Sequence, residues 1–124
     1  MKSHKNLDIR IANLEKLQAT RIDRLIKNPV YEIPWLTEEL YKGGLHLDYL
    51  RAAVKDIADG TETFMVYQHY IKLAADFLKR SYNVVENSTS IVHREASVWK
   101  YQMMFEIKET FEYLFEIETD DDKI

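Results

Sequence analysis

Four histidines are the residues with the most chemistry to offer, and metal binding is the chemistry they would do. A helical metal site presents His and carboxylates at i, i+3 or i+4 spacing on one inward face. The chain contains neither Glu-x-x-His nor His-x-x-x-His. His4 has Asp8 at the helical interval, at the very start of the sequence. His69 shares a helix face with Glu62, Lys72, Asp76 and Lys79, a charged set that reads as solvent-facing. His93 stands beside Arg94 near one expected helix start, and His46 follows Gly43-Gly44 at another. Each reads as a solvated or capping residue, and only convergence of His46, His69 and His93 in space would make a ligand set. The spacing therefore predicts no metal and no cofactor.

Nucleophilic and acid–base chemistry find no better footing. There is no Cys, and none of Ser3, Ser81, Ser88, Ser90 and Ser97 has the Gly-x-Ser-x-Gly setting that exposes a reactive hydroxyl. Three glycines are too few for a phosphate-cradling loop. The pairs Glu106/Glu109 and Glu112/Glu116 have helical spacing, but acid–base work needs burial to raise one pKa. They fall on the polar side of their helix and read as a solvated face. No catalytic residue is predicted, and the chain reads as a non-enzyme.

The elements that would carry these residues are helical. With 46 % apolar and 31 % charged residues, three Gly and two Pro, the 124-residue chain has the composition of one globular domain with few turns. Leu7, Ile11, Leu14, Gln18, Arg21 or Ile22, and Leu25 step by three and four, a coiled-coil-like seam over 6–27 that Leu17 and Ile26 widen. Pro29 and Pro34 predict an extended crossover at 29–35 pinned by Tyr31 and Trp35. Thr37 is the expected cap of a short helix at 37–42 that stops at Gly43-Gly44. Longer helices are predicted at 46–59, with Gly60 as its stop, at 61–82, capped by Thr61 or Thr63, and at 91–118. Residues 83–90 read as a loop, and 119–124 as a flexible acidic tail. The expected fold class is all-α, an elongated bundle of about four main helices in a single domain over 1–124.

Segment 36–59 has the order of a helix-turn-helix, and a DNA-binding regulator is the competing reading. It carries Glu38, Glu39, Asp48, Asp56 and Asp59 against Lys42, Arg51 and Lys55, so it lacks the basic surplus that phosphate contact needs. A nucleic-acid partner is not expected. Nor is a membrane: no apolar run approaches the roughly 20 residues of a span, and the N-terminus shows no apolar leader, which predicts a cytoplasmic protein.

Partners are argued from charge and length. Residues 1–27 hold seven Lys/Arg against three acids (7 − 3 = +4), and residues 102–124 hold two against eight (2 − 8 = −6). A basic first helix and an acidic last one are complementary, within one chain or across a dimer. A helix over 91–118 is roughly 40 Å long, against a radius of gyration of roughly 14 Å for a compact domain of this size. Its far end is rich in large apolar side chains. Tyr101, Phe105, Phe111, Tyr113, Leu114, Phe115 and Ile117 are accordingly the predicted protein interface. The sequence points to a small non-enzymatic binding or regulatory protein of adaptor, inhibitor or assembly type, a homodimer with a protein partner. A metal-dependent bundle enzyme is the third reading.

Overall fold

The computed structural model describes residues 5–27, 33–87 and 91–122, and the side chains of 5–27, 33–80 and 97–118. Four helices, α1 (Lys5–Lys27), α2 (Ile33–Ala58), α3 (Thr63–Asn87) and α4 (Ile91–Asp122), pack into an all-α bundle, and no strand occurs among the described residues. None of these helices is long and apolar enough to cross a membrane.

Sequential helices run antiparallel. Arg21 meets Glu39 while Glu15 meets Arg51; Phe64 meets Phe115 while Lys100 lies over Phe77. Helices α2 and α4 run parallel, since Tyr41 lies by Trp99 and His46 by Thr110. The topology is up-down-up-down. The packing is uneven. Helices α3 and α4 share the largest interface and α2 lies against both, whereas α1 packs chiefly along α2. The core is built from Leu50, Ala53 and Ile57 of α2, Val66, Tyr67, Tyr70 and Ala74 of α3, and Met103, Met104, Ile107, Phe111 and Leu114 of α4. Leu7 of α1 completes it, fully buried.

The sequence reading of 37–42 and 46–59 as two helices is overturned: α2 is continuous through Gly43-Gly44. A glycine costs about 1 kcal/mol in a helix interior, and burial of Leu36, Leu47 and Leu50 on either side outweighs it. Gly43 is a seat rather than a break. A Cβ there would lie 2.8 Å from Nη1 of Arg21 and closer still to the Gln18 amide. In that space Gln18 Nε2 donates to the carbonyl of Leu40 (3.0 Å), and Arg21 donates to Gln18 Oε1 (2.7 Å) and to the carboxylate of Glu39 (3.1 Å). Gly44 has nothing closer than 4.0 Å. Gly44→Ala is therefore expected to raise stability by about 0.5–1 kcal/mol through helix propensity. Gly43→Ala should lower it by about 1 kcal/mol, because the clasp must open. Denaturant midpoints of the two variants check this, and the same sign in both would remove the seat.

Other boundaries also move. Ile33, Pro34 and Trp35 are not extended but form the first turn of α2, where Pro gives up no intrahelical hydrogen bond; residues 29–32, with Tyr31, lie outside the described residues. Thr37 is not a cap, since its hydroxyl donates to the carbonyl of Ile33 (2.7 Å) inside the helix. Trp35 is half exposed beneath the Arg24 guanidinium. Gly60 does end the second helical segment: its φ of 109° and the bonds Gly60 N to Ile57 O and Thr61 N to Asp56 O make a Schellman turn. The cap of α3 is neither Thr61 nor Thr63 but Glu62, whose carboxylate accepts from the amides of Phe64 and Met65.

The expected loop at 83–90 is helical to Asn87, and 88–90 lie outside the described residues. The expected flexible tail at 119–124 is helical to Asp122, with 123–124 outside. A helix whose end is still buried at Glu118 adds a hydrogen bond with each further residue.

Candidate binding groove

Helix α1 lays its seam, Leu7, Ile11, Leu14, Gln18, Arg21 and Leu25, toward the rest of the molecule. The seat at Gly43 draws that seam onto α2, which leaves the flank of α1 standing off from α4. Between the two is a groove of about 450 Å³. Ile9, Asn13 and Leu17 line it from α1, Tyr113 and Ile117 from α4, and Leu50 and Leu114 form its floor. Ile9, Leu17 and Tyr113 remain 47 %, 46 % and 50 % exposed. The groove is apolar along its length and polar at one side.

That polar side is built around His46. The Thr110 hydroxyl donates its one proton to the carbonyl of Glu106 (2.9 Å), the back-bond common for Thr inside a helix. The 3.2 Å contact between Thr110 Oγ1 and His46 Nε2 is then a bond donated by the imidazole. This fixes the Nε2–H tautomer and leaves Nδ1 with a free lone pair. Burial first, and the Arg10 cation second, lower the His46 pKa from 6.5 to about 4. The ring is neutral at neutral pH. Arg10 lies over the Tyr113 ring, 5.3 Å from its centroid. Arg10, His46, Glu106, Glu109, Thr110 and Tyr113 together border a second hollow of about 380 Å³ beside the groove. One cation, one neutral acceptor and an apolar bed are the means to hold an amphipathic segment.

No family model, curated protein or solved structure matches this chain. The groove and its chemistry therefore carry the functional argument alone.

The seven predicted interface residues do not form one surface. Phe111 and Leu114 are fully buried, covered within the same chain by α2, α3 and Leu7 of α1. Phe115 is partly buried with its ring edge-on to Phe64 at 5.4 Å. Ile117 is partly buried in the groove, and Tyr101 is partly buried. Tyr113 and Phe105 are half exposed, but eight residues apart they differ by roughly 80° around α4. Only Tyr113 and Ile117 border the groove openly.

The histidines sort differently from expectation. His46 neither caps nor opens a helix; it sits in mid-α2, mostly buried, because α2 is unbroken. His69 is exposed, edge-on to Tyr70. His4 and His93 lie outside the described side chains. Among the described residues no three His, Asp or Glu are placed to hold a metal ion. The helix-turn-helix at 36–59 is corrected with the same observation: there is no turn within it. Arg10 and Ile9 were missed in the sequence, while Leu17 was read into the α1 seam and His46 as a solvated or capping residue; yet Ile9, Asn13 and Leu17 at four-residue steps form a second narrow stripe beside the seam.

A further polar cluster lies in the core. The buried Tyr67 hydroxyl faces the Glu118 carboxylate, itself 7 % exposed. Burial, then Glu118 and Asp8, hold that phenol well above its ordinary pKa. Tyr70 donates to Asp56 at 2.7 Å. The bond to Asp56 ties the Tyr70 ring in place, and the Tyr67 hydroxyl is buried with it in the core.

Proposed function

We propose that this chain is a small, non-enzymatic, cytoplasmic protein-binding bundle of adaptor, inhibitor or assembly type, and that a protein partner docks in the α1–α4 groove. One observation carries the reading: three large apolar side chains, Ile9, Leu17 and Tyr113, stand about half exposed around a single trough with a buried floor. Such a trough takes apolar side chains from a helical face laid along it. The Arg10 guanidinium and the His46 Nδ1 at its side would fix the direction of that face by polar contacts.

Photo-crosslinking tests it. A photoreactive residue at Leu17 in the native cell should give covalent protein adducts, and one at Phe105, equally exposed but away from the groove, should not. Equal labelling at both positions, or none at Leu17, would remove the groove as the docking site.

A further inference from the structure

We infer that the occupant of the α1–α4 groove is a second copy of this chain, docked about a two-fold axis that runs along the groove. The inference rests on the groove being a protein-docking site and names the partner.

The two walls of the groove differ in charge. Among the residues that border it, α1 brings Arg10 and α4 brings Glu106 and Glu109. Lys16 of α1 and Glu116 of α4 are exposed, each about 20° around its helix from a bordering residue, Ile9 and Glu109. Such a surface is self-complementary under one symmetry and not another. A two-fold axis along the groove lays the basic wall of each copy on the acidic wall of the other, so both contacts are attractive. An axis across the groove would set base on base and acid on acid. Charge thus selects one dimer from the two that the apolar stripe alone permits.

The details agree along the length. Arg10 stands level with Tyr113, and its guanidinium forms no ion pair within the chain among the described residues. At that level the second copy offers Glu109 and Glu116, and one turn and a half further on its Glu106 meets Lys16. Ile9, Leu17 and Tyr113 of both copies close on each other in the centre. A face of two adjacent helices, roughly 35 Å by roughly 20 Å, buries about 700 Å² on each copy, close to the standard size of a stable interface.

A charge swap on the full chain decides it. The unaltered protein at tens of micromolar should show twice the 14.8 kDa chain mass by sedimentation equilibrium. Its dissociation constant should rise severalfold between 50 and 500 mM salt. The double variant R10E/K16E and the double variant E109K/E116K should each dissociate at least tenfold more readily. Mixed one to one, they should form the heterodimer, because both of its contacts regain opposite charges. Circular dichroism checks that each remains helical. A monomer at 100 micromolar, a dimer that salt tightens, or a dimer indifferent to the swap would each overturn the inference. Leu17 adducts to a different protein in the crosslinking experiment would then leave the docking groove standing with another occupant. Should the variants not fold, the mass and salt response of the unaltered chain still decide.

Discussion

Replacing Phe111 by Ala is expected to lower the unfolding free energy by about 3–5 kcal/mol. The ring is fully buried in mid-core, stacked on Tyr70 at 5.2 Å between centroids and tilted against Tyr67 at 6.0 Å. Neither tyrosine is free to fall into the vacated space. Tyr70 is held at its far end by Asp56, and the Tyr67 hydroxyl lies against Glu118. The void would persist, which places the cost toward the upper end of that range. Phe105→Ala removes the same ring from the same helix at a position 52 % exposed, and should change stability by no more than about 0.5 kcal/mol. Urea unfolding followed by circular dichroism separates the two. Equal losses would mean that α4 is rotated from the orientation described.

The second large effect is on acid stability. His46 titrates at about 4 in the folded chain, against 6.5 when unfolded, so the unfolded chain binds its proton first. A depressed pKa of this kind contributes stability that is fully present above pH 6.5 and is lost as pH falls through 4. The loss amounts to up to about 3 kcal/mol. Groups from two other helices face the ring: Arg10 of α1, and Glu106, Glu109, Thr110 and Tyr113 of α4. The comparison is with His46→Gln, which cannot take up the proton. Stability against pH should fall more steeply for the unaltered chain than for the variant between pH 6.5 and 4. Parallel curves would show the ring already solvated.

How far these features were legible in the sequence follows from what each depends on. The seam of α1 was readable in part because burial there follows the helical period: Leu7, Ile11, Leu14, Gln18, Arg21 and Leu25 are inward, whereas Leu17, Ile22 and Ile26, read into the same stripe, are exposed. The Gly60 stop was readable because a positive φ is a local demand of the turn. Gly43-Gly44 looks the same locally, and no local rule says that the space over Gly43 is taken by Gln18 and Arg21 from another helix. That one long-range contact decides whether α2 is one helix or two. It also moved His46 from a helix start to a buried ring. The aromatic end of α4 was read as an interface for another chain, but which helix covers each of its residues is a matter of packing. Leu7 and α3 cover Phe111 and Leu114, and the open surface shifts to the flank where α1 stands away from α4.

The seat at Gly43 has one more consequence, which concerns sliding. Along α2, Leu36, Leu40, Gly43, Leu47 and Leu50 share one face at three- and four-residue steps, a leucine ridge with a single notch where α1 inserts Gln18 and Arg21. Uniform ridges allow two helices to shift past each other by one turn, about 5.4 Å, at little cost. Here any such step would press the Gln18 amide and Arg21 guanidinium onto a leucine and strip them of the carbonyls and carboxylate they bond. The notch is a keyway. It admits the polar pair at one position only, and so sets the longitudinal placement of α1, and with it the level at which Arg10 stands beside Tyr113.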